Sequence, residues 1–216
     1  KESQLLSKTL ISLKEGCVDL RKKSFVTIDG KTAKDFDDAV FSEKNKSGEL
    51  VLYVAIADVG RFVKPQSAMD DEAIERGTSV YFTQKVIPML PEIISNDLCS
   101  LRPNEDRYCL VCKTNISKEG DPQEVEFFEA IINSKARLTY EKVADQMKTK
   151  NFSEPYTQSL KNLVDFFIDT GRMQYTGQSG FNELTNSLTD LNFRISCVPR
   201  YITQRFFKKF NKKNLI

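Results

Sequence analysis

Histidine and tryptophan are both absent from the 216 residues. The lack of His removes the commonest general base and both the Ser-His and Cys-His nucleophilic arrangements. It also leaves no imidazole to complete a zinc site. Long apolar runs are missing too, since no stretch approaches the roughly eighteen apolar residues that a membrane span needs. The N-terminal residues carry no secretory signal pattern, so a cytoplasmic setting away from membranes is expected. No excess of one charge exists overall: 32 basic and 30 acidic residues leave a net charge of +2. With 40% apolar and 29% charged residues, the composition suits a globular domain. Cysteine is sparse, at positions 17, 99, 109, 112 and 197. Cys109 and Cys112 have a C-x-x-C spacing that also occurs in zinc and redox sites, but no second pair accompanies them. Within Arg107–Lys113 they read as small residues of a strand. Any hydrolysis by such a chain is most economically done by a metal-activated water.

What the chain does have is a dense cluster of acid. Asp29, Asp35, Asp37 and Asp38 fall within ten residues, in the run Thr27-Ile28-Asp29-Gly30-Lys31-Thr32-Ala33-Lys34-Asp35-Phe36-Asp37-Asp38-Ala39-Val40. Carboxylates so close disfavour one another's ionised form. A hard divalent cation such as Mg2+ offsets that cost, because it prefers carboxylate oxygens. A solvated turn, with Asp side chains capping or facing water, is the alternative. The flanks favour a site near a core, because Ser24–Ile28 and Ala39–Phe41 are apolar and strand-like. An EF-hand loop fits badly: counting from Asp35, the fifth position is Ala39 and no Gly follows it. A phosphatase of the Asp-x-Asp type needs a buried strand directly before its first Asp, and Lys31–Lys34 does not make one.

The patterning predicts an α+β domain, strands first and helices later. Leu5, Leu6, Leu10 and Leu13 give residues 3–15 helical spacing. Val40-Phe41 and Glu49–Ala57 read as a hairpin closed by Asn45–Gly48, and the second arm, nearly all apolar, reads as a buried central strand ending at Asp58. Asp70–Gly77 reads as a helix and Thr78–Phe82 as a strand. Tyr108–Ile116 and Val125–Lys135 form a second hairpin. Helices follow at Thr139–Lys148, with Thr139 as cap, and at Ser153–Arg172, with Leu160, Leu163, Val164 and Phe167 on one face. Residues 177–192 are polar and poorly patterned. After Asp190 come seven basic residues (Arg194, Arg200, Arg205, Lys208, Lys209, Lys212, Lys213) interleaved with aromatics. That mixture suits either nucleic-acid contact or a basic helix with a core-facing aromatic stripe.

The acidic run Thr27–Ala39 resembles the signature of the catalytic (RNB) domain of the ribonuclease II and ribonuclease R family. Val54–Val59, Gly77–Tyr81, Val86–Pro91, Leu98–Arg107 and Ala136–Tyr140 resemble further family motifs in the same order, from about residue 18 to about residue 148. The resemblance implies a mixed β-sheet or partial barrel flanked by helices. It implies 3'-to-5' exoribonuclease chemistry on single-stranded RNA, with Mg2+ and release of nucleoside 5'-monophosphates. By position, Asp29, Asp35, Asp37 and Asp38 would form the metal site, with Asp29 and Asp38 as the direct ligands and Asp37 the residue most needed for chemistry. Tyr81 matches a tyrosine that stacks on RNA bases, and Tyr140 one beside the 3'-terminal nucleotide. For both, an ordinary half-buried aromatic is the alternative.

The resemblance covers the first half of the family's catalytic domain. It implies that residues 1–176 are a partial RNB-type domain and residues 177–216 a divergent or truncated basic tail. The family's later arginine-rich segment has no counterpart in context, and Arg200–Lys209 has lysines where a family helix carries acids. Two readings follow: a metal-dependent 3'-to-5' exoribonuclease, truncated here, or a catalytically inactive remnant that binds RNA without cleaving it. A sheet missing part of its strands also predicts exposed edges, poor solubility or self-association.

Overall fold

The computed structural model describes residues 16–117, 122–149 and 151–169, with 153 and 155 excepted. The helix expected over residues 3–15 and the tail from residue 177 lie outside the described residues.

A seven-stranded mixed sheet carries the domain. Its strands are β1 (Val18–Asp19), β2 (Val26–Asp29), β3 (Asp38–Lys44), β4 (Leu50–Ala57), β7 (Asp106–Ile116), β8 (Pro122–Asn133) and β9 (Ala136–Thr139). They lie in the order β1-β8-β7-β4-β3-β2-β9. β5 (Val80–Tyr81) and β6 (Val86–Ile87) form a separate antiparallel ribbon. The helices are α1 (Ala68–Arg76), α2 (Tyr140–Thr149) and α3 (Thr157–Asp169).

Both predicted hairpins form. In the first, β3 and β4 pair from Asp38 opposite Ile56 to Lys44 opposite Leu50. Asn45 closes it: its side-chain oxygen accepts the Ser47 and Glu49 amides at 3.0 and 2.9 Å. Gly48 completes the turn at φ +82°, a conformation that a side chain would strain. In the second hairpin, β7 pairs with β8 from Asp106 opposite Asn133 onward.

Strand β4 is central, and its unbroken hydrophobicity has a direct cause. Val51, Tyr53, Ala55 and Ala57 enter one core with Phe25, Ile94, Leu101 and Ile131. Leu50, Leu52 and Val54 enter a second core on the opposite face with Val26, Val40, Leu138, Val143 and Leu160. Successive strand residues point to opposite faces, so burial on both faces requires every position to be apolar. Helix α3 covers the second face and is held by Ser159, whose Oγ accepts the Ser42 amide at 2.7 Å.

The same alternation separates Cys109 from Cys112. Three residues apart on β7, they point to opposite faces, and both are buried with free thiols.

Some elements differ from the expectation. The Thr78–Phe82 strand shortens to Val80–Tyr81, because its partner is equally brief. The helix expected to start at Ser153 begins at Thr157. The second arm of the second hairpin runs Pro122–Asn133, and the chain then turns through Ser134 and Lys135 into β9, a strand that the patterning did not reveal. β9 pairs in parallel with β2, Val26 opposite Ala136 through Asp29 opposite Thr139. β1, also missed, pairs in parallel with β8 at Val18–Ala130. These pairings join distant segments, so no local pattern announces them. Among the described residues, no helix is long and apolar enough to cross a membrane.

Candidate active site

The acidic turn lies between the C-terminal end of β2 and the start of β3. Asp29 is the last residue of β2, and Asp38 the first of β3. These strands pair only where Val26 meets Val40, and the segment between them loops out carrying Asp35 and Asp37. Backbone anchors fix the loop. The Ser100 hydroxyl donates to the Lys34 carbonyl at 2.9 Å and accepts the Phe36 amide at 3.1 Å. The Leu101 amide donates to the Phe36 carbonyl, and the Ala57 amide to the Asp37 carbonyl, both at 2.9 Å. Phe36 itself is buried in the first core. The turn is therefore attached to the core through its backbone and Phe36, with Asp37 exposed and the other three carboxylates half-buried.

The electrostatics follow from this crowding. Burial first, and then the charges of Asp38 and Asp37, push Asp29 up to about 7, against a smaller opposing pull from Arg137. Burial pushes Asp38 up to about 6. Asp37 is also pushed up to about 6, by the protein mass around it and then by Asp35 and Asp38. Its side chain still reaches water, so the repulsion from its two neighbours is the cause that carries weight there. One carboxylate oxygen of Asp29, Oδ2, is buried without a hydrogen-bond partner. An orphaned buried acceptor beside like charges is a costly arrangement for folding alone.

An oxygen-only donor set of this kind suits Mg2+, and the unpaired Asp29 oxygen is the specific atom that a cation would satisfy. Among the described residues, no three Asp, Glu or Cys side chains are placed together closely enough to hold an ion.

Tyr140, the first residue of α2, is brought to this turn. A Cβ built on Gly30 would meet its ring carbon Cε2 at 4.0 Å, and Tyr140 is partly exposed. Helix α2 starts there because Thr139 caps it, its hydroxyl accepting the Lys142 amide at 3.2 Å. Tyr81 is placed differently, on the β5–β6 ribbon, with 67% of its surface exposed. Val80, Phe82, Val86 and Ile87 are exposed beside it. Asp58, the carboxylate at the end of β4, does not join the cluster as a free acid. Its Oδ2 accepts from Arg61 Nε at 2.9 Å, while Arg61 also pairs with Glu129 and lies 4.1 Å above the Tyr108 ring. Buried Cys99 lies near enough to Asp37 and Asp58 that, after burial, their charges help to push its thiol up to about 12. A thiol held so far from ionising is no nucleophile at neutral pH.

Residues 17–193 match the model of the RNB domain family. The chain belongs to the RNB domain family. Ribonuclease R of Vibrio cholerae serotype O1 is 55% identical over 170 residues, which cover 79% of this chain and 20% of that protein. Ribonuclease R of Escherichia coli K12 is 43% identical over 198 residues, covering 89% of this chain and 24% of the relative. The chain thus spans about a fifth to a quarter of the length of these curated relatives. Among solved structures, Mycoplasma genitalium RNase R in complex with ribose-methylated single-stranded RNA superposes with a TM-score of 0.69 at 35% identity. That match covers 76% of this chain and 27% of the other. The α+β mixed sheet is thus the fold of an RNB domain, as the acidic signature and its co-linear motifs implied. The family match extends to residue 193, beyond the last of those motifs.

Two residues that hydrogen-bond to the backbone of the acidic turn are not singled out by the sequence, Ser100 (to Lys34 and Phe36) and Arg137 (to Gly30 and Lys31). Both sit inside family-like motifs, but nothing in their immediate neighbours reveals that they reach back to the acidic turn.

Proposed function

We propose that this chain carries the acidic half of a metal-dependent 3'-to-5' exoribonuclease site, acting on single-stranded RNA with Mg2+ and releasing nucleoside 5'-monophosphates. The observation that carries the reading is the intact set Asp29, Asp35, Asp37 and Asp38 on one core-anchored turn of an RNB domain. Asp29, with its unpaired buried oxygen, and Asp38 would hold the cation, with Asp35 and Asp37 completing the acidic field. A bound cation would supply Lewis-acid polarisation of the scissile phosphate and a lowered pKa for the attacking water. Asp37 is the exposed member of the set and the one best placed to meet water or substrate. Tyr140, beside Gly30, offers a ring surface next to the acids for the terminal nucleotide. Tyr81 offers an exposed stacking platform for bases further along the strand. Stacking tolerates any sequence because every base has a π-face.

A second reading, RNA binding without cleavage, is favoured by one observation: no three candidate ligands are placed together among the described residues. A 5'-labelled single-stranded RNA incubated with the chain and Mg2+, beside Asp37→Asn, separates the two. A ladder shortening from the 3' end, abolished by EDTA and by the substitution, supports the exoribonuclease. Intact RNA in a retarded band supports binding alone, and intact, unretarded RNA refutes both.

A further inference from the structure

We infer that Arg137 is a positioning residue whose guanidinium clamps the two ends of the acidic turn together. Arg137 stands on β9 opposite Thr27 of β2. Its Nη2 donates to the Gly30 carbonyl at 2.6 Å and to the Lys31 carbonyl at 2.7 Å. The guanidinium also lies 5.6 Å from the centre of the Phe36 ring. Gly30 and Lys31 directly follow Asp29, and Phe36 sits between Asp35 and Asp37. One planar cation therefore touches the turn just after its first acid and again between its later ones.

The chemistry favours this role over simple packing. The four aspartates repel, so an unclamped turn would open and spread them. A guanidinium can bond carbonyls through its edge while presenting its face to a ring, whereas an ammonium is a point donor without a face. The placement also has a cost, because Arg137 Nε is buried without a hydrogen-bond partner. A side chain chosen for stability alone would not leave that donor unsatisfied. Supports of this kind, which orient ligands without touching the ion, typically change metal affinity by about 10–100-fold when removed.

The functional half of this inference rests on the reading of the turn as a cation site, so the experiment reads the clamp separately. Arg137→Gln and Arg137→Lys are made in the 216-residue chain. Hydrogen exchange is followed in peptides covering residues 30–36 and, as an internal control, in β4 and β7. Mn2+ alone is titrated by electron paramagnetic resonance. Arg137→Gln is expected to raise exchange across the turn and to weaken Mn2+ binding by about tenfold or more, with β4 and β7 unchanged. Arg137→Lys, which keeps the charge but not the flat face, is expected to fall between. If Arg137→Gln does not fold, Arg137→Lys decides by the same comparison. Turn exchange equal to wild type overturns the clamp, and so does an equal rise in β4 and β7, which marks a merely structural role. A wild-type chain that binds no Mn2+, while its turn still loosens on substitution, supports the clamp and refutes the metal reading.

Discussion

Replacing Asp29 by Asn should stabilise the cation-free chain while removing its proposed metal ligand. Asn keeps the shape of the side chain and the backbone pairing of residue 29 with Thr139. It removes a charge that burial and the neighbouring Asp38 and Asp37 have pushed from 3.8 to about 7. At about 1.4 kcal/mol for each tenfold, that interval sets a ceiling of about 4 kcal/mol. Asp29 is only partly buried and titrates together with its neighbours, so screening and proton sharing leave about 1–2 kcal/mol. For a chain of this length the gain corresponds to a rise in Tm of roughly 2–8 °C. The sign in pH follows from the raised value. Between about pH 4 and about pH 7 the native chain holds a proton that the unfolded chain has released, so wild-type stability falls as pH rises through that window. The advantage of Asp29→Asn should be largest near about pH 7.5 and fade towards about pH 4. Urea unfolding in EDTA at several pH values measures it. Excess Mg2+ should cancel the gain, because the ion stabilises only the native chain that binds it. An Asp29→Asn chain no more stable than wild type near neutral pH, or a gain independent of pH, would refute the account of the turn as electrostatically strained.

Ser100→Ala should lower stability by about 1–3 kcal/mol in urea unfolding, because it strips the partner from the buried Phe36 amide and one from the part-buried Lys34 carbonyl; an unchanged midpoint would show that the hydroxyl is dispensable. Tyr81→Ala should leave Tm unchanged, since the side chain is largely exposed, yet weaken single-stranded RNA binding by about 1–3 kcal/mol in fluorescence anisotropy. Equal affinity would remove Tyr81 from the RNA path. Gly77→Ala should cost about 1 kcal/mol, because Gly77 ends α1 at φ +68° and a Cβ there meets nothing else within 4 Å. A thermal melt that does not shift would contradict this.

The parts of this molecule that are legible in its sequence are those with local causes. Asn45–Gly48 announces its hairpin because the Asn side chain and the positive φ of Gly48 close it without outside help. Leu50–Ala57 reads as central because both of its faces are buried. The four aspartates are legible as a cluster because sequence proximity alone brings them together. What holds them is not legible. Ser100 and Arg137 act across 66 and 107 residues on the Lys34 and Gly30 carbonyls, and a hydrogen bond to a main-chain carbonyl leaves no mark on the residue that accepts it. The short edge strands stayed hidden for the same reason, since Val18–Asp19 and Ala136–Thr139 are strands only by virtue of distant partners.

The parallel pairing of β2 with β9 also sets a schedule for synthesis. All four aspartates have emerged from a ribosome about a hundred residues before Arg137 does, and loop closure over that span is slow compared with forming either hairpin. A nascent chain thus carries the acids first, can anchor Phe36 and Asp37 through Ala57, Ser100 and Leu101, and gains the Arg137 contacts only when β9 docks. Until then the Gly30 and Lys31 carbonyls lack the guanidinium that later bonds them, and the stretch just after Asp29 is free to move apart from the rest of the turn.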